Sequence, residues 1–145
     1  MDIFPGIWER LAELATSGRL IAPREVLREL EKGDDELLPW AREHSMMFQD
    51  PDEQHLATVQ SILEQFPDFV DPDKETPEAD PFVVARAIVG RGSGSLLPQN
   101  WVVVAEENRR RTPEHRPRIP DVCDHYEAPF MKMFDVMRTE GWAFR

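Results

Sequence analysis

An unbroken apolar run from Trp101 to Ala105 ends on two carboxylates, Glu106 and Glu107, and this junction restricts the possible folds more than any other feature. A continuous apolar run is typical of a strand that is buried on both faces, as in a parallel sheet covered by helices. In open parallel sheets the functional crevice lies beyond the carboxyl ends of the strands. We therefore expect Glu106 and Glu107 at the edge of the sheet where a functional site forms.

Segments with helical periodicity alternate with short apolar segments along the chain. Proline favours a first helical turn and glycine a helix C-terminus, so these residues mark most boundaries. At Asp50-Pro51-Asp52-Glu53 the expected N-cap is Asp50. Residues 67–78 and 90–95 are predicted to be connections. The predicted helices cover about residues 7–17, 23–33, 35–46, 50–66, 80–90, 121–126 and 134–140, and the predicted strands cover about residues 19–22, 101–105 and 130–133.

The alternation of strands and helices predicts an α/β fold. Helices that connect parallel strands form right-handed crossovers and cover the sheet, so we expect a three-layer α/β/α sandwich with a mainly parallel sheet. The chain has 145 residues, a length that suits a single domain over residues 1–145.

The net charge of −11 argues against a protein that binds nucleic acid over a broad basic face. It does not exclude a nuclease, because carboxylates that hold divalent cations make an active site acidic. A basic protein partner is equally compatible with this charge. Cys123 is the only cysteine, so no intramolecular disulfide can form. The chain starts without a signal-peptide pattern and has no apolar window long enough for a membrane span, so we expect a cytoplasmic protein that does not bind a membrane.

Three acidic residues are candidates for a shared site, and each also has a structural explanation. Glu107 follows the strongest predicted strand. Asp80 lies at the start of a predicted helix, where it is equally an N-cap. Glu29 lies on the second predicted helix, where an exposed Glu is ordinary; Glu25, one turn earlier, is its nearest rival and is expected to support the helix N-terminus.

Taken together, three stretches, residues 21–30, 79–87 and 102–107, resemble a PIN domain, named from the PilT N-terminus. The resemblance is closest to a bacterial PIN-like branch whose members share further short motifs. Here those motifs are Phe4-Pro5-Gly6-Ile7-Trp8, Ile119-Pro120-Asp121-Val122-Cys123 and Gly141-Trp142-Ala143-Phe144. PIN domains include the VapC-type ribonuclease toxins of toxin–antitoxin systems.

This resemblance implies that Glu29, Asp80 and Glu107 hold Mg²⁺ or Mn²⁺ and that the chain hydrolyses RNA phosphodiester bonds. It also implies a cognate antitoxin or regulator as partner. PIN domains resemble one another in opening with a strand of the type Leu-Leu-Asp-x-Asn, whose aspartate binds the metal; Asp2 does not match that motif. The alternative is therefore a catalytically impaired PIN-like module that binds its regulator without cutting RNA, and a homodimer is left open.

A run of arginines follows the two glutamates. Arg109, Arg110 and Arg111, with Arg116 and Arg118 nearby, are candidates for steering an RNA backbone toward Glu107 through charge-assisted contacts to phosphate. A solvated surface loop explains the same run equally well. Cys123 is expected to be a small buried residue rather than a nucleophile.

Overall fold

A computed structural model describes residues 5–33, 36–71, 73, 78–90 and 100–142. The predicted connection after Gly90, much of the loop before Glu78, and the outer ends of the two terminal motifs lie outside these ranges. The chain divides into two compact units, one comprising Met1–Pro51 and Phe144–Arg145 and the other Asp52–Ala143.

The first unit contains three helices and one pair of short strands in its described part. Its elements are α1 (Pro5–Thr16), β1 (Ala22–Pro23), α2 (Arg24–Gly33), α3 (Leu38–Glu43), a 3-10 turn (Ser45–Met47) and β2 (Phe48–Gln49). The two strands are parallel, with Ala22 opposite Phe48 and Pro23 opposite Gln49. The strand predicted at residues 19–22 therefore lies later, and β2 was not predicted.

The first unit is stabilised by a closed turn after α1 and by a core of buried apolar side chains. Gly18 adopts φ +79°, a left-handed conformation that glycine tolerates best, and it ends α1 as predicted. The backbone N–H groups of Arg19 and Leu20 both donate to the carbonyl of Leu14, which closes the turn. Six buried apolar side chains then form the core of the unit: Ala15, Leu27, Leu38, Ala41, Met47 and Phe48.

The second unit contains the other strand pair and four helices in its described part. Its elements are α4 (Glu53–Gln65), a 3-10 turn (Pro67–Phe69), α5 (Asp80–Gly90), β3 (Val103–Val104), α6 (Ile119–His125), β4 (Phe130–Met131) and α7 (Met133–Thr139). β3 and β4 are parallel, with Val103 opposite Phe130 and Val104 opposite Met131. The apolar run at residues 101–105 thus forms a strand, as predicted, with a shorter paired region.

The start of α4 differs from the prediction. The N-cap is Asp52, whose carboxylate accepts from the backbone N–H of His55 at 2.8 Å and lies 2.6 Å from the His55 Nδ1. The His55 backbone bond holds the pKa of Asp52 below its usual value. The prediction of Asp50 as N-cap was wrong, because its carboxylate accepts from the Arg24 Nε at 3.3 Å instead.

The core of the second unit lies where α4, α5 and α6 meet the strands. Ile62, Val84, Val122 and Cys123 are fully buried in it. Gly90, the last residue of α5, lies against the indole of Trp101 so closely that a side chain at this position would overlap the ring. The absence of a Cβ therefore allows the end of α5 to approach the start of the β3 region.

The mixed α/β class and the parallel strand pairing are confirmed. Parallel strands need a crossover rather than a hairpin between them, and β1 and β2 are separated by α2 and α3 while β3 and β4 are separated by α6. Within the residues that the structure describes, no helix has the length and apolar character needed to cross a membrane.

Candidate functional site

Glu106 and Glu107 lie at the carboxyl edge of the β3–β4 pair. The Oε1 of Glu106 accepts from the backbone N–H of Met133 at 2.8 Å, at the first residue of α7 just beyond β4. The Oε2 of Glu107 accepts from the backbone N–H of Ile119 at 2.9 Å, at the first residue of α6. Both carboxylates therefore face the N-termini of helices, where unpaired N–H groups and the helix dipole favour negative charge.

These bonds give the two glutamates a structural role and fix their orientation. Each bond uses one oxygen of its carboxylate, and among the described residues the other oxygen of each group has no hydrogen-bond partner. Glu107 is half-buried and Glu106 is exposed. Both glutamates were expected at this edge, and the structure places both there. The family resemblance implied only Glu107 as a metal ligand.

The other predicted acids lie on two different helices. Asp80 is the first residue of α5 in the second unit, and it is half-buried. Glu29 is exposed on α2 in the first unit. No group of three or more His, Cys, Asp or Glu side chains suited to holding a metal ion was found among the described residues.

Glu25 is the acid whose environment the sequence did not predict. It lies in the first turn of α2, yet it is only 5% exposed. Its Oε2 is 3.6 Å from a guanidinium nitrogen of Arg28, while its buried Oε1 has no hydrogen-bond partner. A carboxylate in a first turn is normally solvated, and nothing in the local sequence indicates burial at this position.

The arginine-rich segment, residues 109–118, is fixed at both ends by the side chains of α6. The guanidinium of Arg109 donates from Nε to Asp124 Oδ2 at 2.6 Å and from a terminal nitrogen to Oδ1 at 2.9 Å. The carboxylate of Asp121 accepts from the backbone N–H of Arg110 at 3.1 Å and from that of Arg118 at 2.9 Å. The segment is therefore a shaped loop and not an extended tail.

Contacts within the arginine-rich segment fix its shape further. A terminal nitrogen of Arg110 donates to the carbonyls of Pro113 at 3.4 Å and His115 at 3.2 Å, and the Thr112 hydroxyl lies 2.9 Å from the His115 Nδ1. Arg111 and Arg116 are exposed. Neither of their guanidinium groups has an ion pair or hydrogen bond among the described residues, so both can contact a ligand.

The ion pair of Arg109 and Asp124 changes the titration of both groups. The bidentate hydrogen bonds raise the pKa of Arg109 and lower the pKa of Asp124. Both groups stay charged at neutral pH, so the guanidinium of Arg109 is engaged by the protein itself. Among the three arginines predicted to contact substrate, Arg109 is the one that the structure assigns to an internal ion pair.

Cys123 lies on α6 and is fully buried in the core of the second unit. Burial raises the pKa of its thiol to about 12. Since the thiolate is the reactive form of cysteine, this residue contributes to packing and not to covalent chemistry, in agreement with the expectation from the sequence.

A family model described as "Domain of unknown function (DUF4411)" matches residues 1–144. The chain belongs to the DUF4411 family. A search of curated proteins and a search of solved structures each gave no significant match. For this member of the family, the chemistry of the described site is therefore the basis for any functional proposal.

Proposed function

We propose that this DUF4411 protein is a metal-dependent endoribonuclease of the toxin–antitoxin type, built on a PIN-like three-layer α/β/α sandwich. The supporting observation is the position of Glu106 and Glu107 at the carboxyl edge of a parallel strand pair. This edge is where parallel α/β sheets form their functional crevices. In this proposal the protein acts in the cytoplasm and is inhibited by a cognate antitoxin.

The donor set fits Mg²⁺ or Mn²⁺ in its chemistry. These ions take oxygen ligands, and Mg²⁺ is commonly held by one or two carboxylates while it keeps several waters. Glu107 offers the oxygen that Ile119 does not use, and Asp80 is the second ligand proposed in this unit. Glu29, in the first unit, stays a prediction from the sequence. When bound, the ion supplies an activated water and a positive charge beside the leaving oxygen.

The protein groups around the edge orient the reacting parts. The Ile119 N–H fixes the Glu107 carboxylate on a rigid helix end, a requirement for a precise ligand. The arginine-rich segment follows Glu107 after one residue, Asn108. Two hydrogen bonds hold Asn108 in place. Its backbone carbonyl accepts from the guanidinium of Arg118, and its side-chain amide oxygen accepts from the ammonium of Lys132. In this proposal the segment steers the RNA backbone toward Glu107 through charge-assisted contacts to phosphate.

The test is cleavage of single-stranded RNA with Mg²⁺ or Mn²⁺ by the wild type and by Glu107→Gln, Asp80→Asn and Glu29→Gln. Glutamine keeps an oxygen that accepts the helix N–H, so Glu107→Gln removes charge while it preserves the hydrogen bond. We expect each variant to lose at least about 10-fold in cleavage rate, since even residues that only support a metal ligand typically cost about 10–100-fold.

Glu106→Gln is the matched control, because Glu106 also binds a helix N-terminus from the adjacent position. Retained cleavage in this variant supports Glu107 as the ligand. Loss of cleavage only in Glu106→Gln would reassign the site to Glu106. A wild-type protein without metal-dependent cleavage, or full activity in both Glu106→Gln and Glu107→Gln, would refute the nuclease proposal.

A second candidate function is a PIN-like module that binds a regulator without cutting RNA. It is favoured by the engagement of the edge carboxylates with the backbone of α6 and α7, which stabilises the fold without any metal. The net charge of −11 suits a basic partner. Salt-sensitive binding of such a partner, unaffected by EDTA and unaccompanied by RNA cleavage, would distinguish this function from the nuclease.

A further inference from the structure

A polar cleft lies in the second unit between the C-terminal end of α4 and the arginine-rich segment. Its volume is about 530 Å³, which is in the range of small-molecule sites. The side chains that give it its chemistry are Phe66, Asp68, Arg110, Glu114, His115 and Arg116. The cleft is separate from the helix-capping contacts of Glu106 and Glu107.

The arginine-rich segment, which forms one side of the cleft, is basic, whereas the rest of the chain is acidic. Residues 109–118 contain five arginines and one glutamate, a net charge of +4, so with −11 for the whole chain the remaining residues carry −15. Arg109 is bound to Asp124, whereas the exposed guanidinium of Arg116 has no partner among the described residues. An unpaired arginine in a fixed loop is suited to phosphate, which it binds with charge-assisted hydrogen bonds.

Phe66 provides an aromatic surface whose position is fixed. Its ring makes edge contacts with His125 at 5.1 Å and with Tyr126 at 6.4 Å between ring centroids. The ring is half-buried and lines the cleft. Aromatic side chains in such positions stack on the bases of single-stranded nucleic acids.

Asp68 and Glu114 indicate which ligand the cleft accepts. These carboxylates would repel a simple anion such as inorganic phosphate. A nucleotide within a single strand carries both a phosphate for Arg116 and exocyclic amino groups, which carboxylates can accept from. Bases in duplex RNA are stacked and paired, whereas those in single-stranded RNA can be splayed onto a protein surface.

We propose that this cleft binds one nucleotide of a single-stranded RNA, with its phosphate on Arg116 and its base against Phe66. The identity of the polymer as RNA rests on the proposed function. The internal bonds of the arginine-rich segment present Arg116 in a fixed loop before the RNA arrives, which reduces the entropy lost on binding.

The experiment measures binding of a short fluorescein-labelled single-stranded RNA to the full chain by fluorescence polarisation in EDTA, so that no cleavage occurs. We expect Arg116→Ala to weaken binding at least about tenfold, the loss that corresponds to one hydrogen bond to a charged group. The slope of log affinity against log salt should fall by about 0.7, the value for one lost phosphate contact on a single strand. Phe66→Leu keeps an apolar side chain but removes the ring, and it should weaken binding at least about fivefold.

Arg42→Ala is the matched control, because Arg42 is another exposed arginine, located in the last turn of α3. We expect its affinity to stay within about twofold of the wild type. Base-free polyphosphate should compete with the labelled RNA less well than unlabelled RNA at equal phosphate concentration. Equal competition, or unchanged affinity and salt slope in Arg116→Ala, would overturn the proposal.

The nuclease proposal and the cleft proposal can be refuted independently of each other. RNA binding that depends on Arg116 in a protein without nuclease activity would support the cleft and refute the nuclease. Metal-dependent cleavage at the wild-type rate, with unchanged binding in Arg116→Ala, would support the nuclease and refute the cleft.

Discussion

Single and double substitution of Arg109 and Asp124 will measure how strongly their ion pair holds the arginine-rich segment. The pair is bidentate, with N–O distances of 2.6 and 2.9 Å. Its side chains are 57% and 53% exposed, so solvent and salt screen the attraction. Exposed pairs contribute about 0.2–1 kcal/mol, and the two-bond geometry places this one toward the upper end, at about 0.5–1 kcal/mol.

The assay is urea unfolding of the wild type, Arg109→Ala, Asp124→Ala and the double variant at pH 7. The coupling energy follows from the difference between the double variant and the sum of the single variants. We expect about 0.5–1 kcal/mol at low salt and a smaller value in high salt, because screening weakens exposed pairs. A coupling energy near zero at low salt would refute the structural role assigned to Arg109.

The same pair predicts a dependence on pH. Because Arg109 lowers the pKa of Asp124 in the folded state, its contribution to stability is present above the unfolded pKa of an aspartate. The contribution is lost as the pH falls through the folded pKa. The difference in unfolding free energy between the wild type and Asp124→Asn should therefore be larger at pH 7 than in strongly acidic solution, and an unchanged difference would contradict the assigned cause.

Three further variants and one reagent test the fold of the second unit. Asp52→Ala removes the N-cap of α4 and should lower the urea midpoint of unfolding; an unchanged midpoint would indicate that another group caps the helix. Ile62→Ala, at a fully buried site, should cost about 2–5 kcal/mol, while Leu56→Ala, at a side chain 50% exposed on the same helix, should cost much less. The Cys123 thiol should resist a thiol reagent at pH 8 until the protein is unfolded, and rapid reaction of the native protein would contradict its burial.

The sequence predicted those elements that depend on local signals. The apolar run before Glu106 forms a strand, and Gly18 ends α1. The N-cap of α4 was misplaced by two residues, because Asp50 and Asp52 flank the same proline and both precede a suitable residue three positions later. In the structure, the Asp50 carboxylate contacts Arg24, 26 residues away, while Asp52 accepts from the backbone N–H of His55.

The rest of the fold and site depends on contacts between distant residues. β2 has two residues and is defined by pairing with β1, which short-range periodicity does not reveal. The hydrogen bond from Met133 to Glu106 spans 27 residues and that from Ile119 to Glu107 spans 12. The position of these glutamates at a strand end could be predicted, but their engagement by two helix N-termini could not.

The contact between Gly90 and Trp101 has a consequence for substitution at Gly90. It joins the end of α5 to the start of the β3 region directly. Even the single methyl group of alanine at this position would therefore push the two elements apart, so the tolerance of Gly90 to substitution is set by packing against the indole and not by helix propensity.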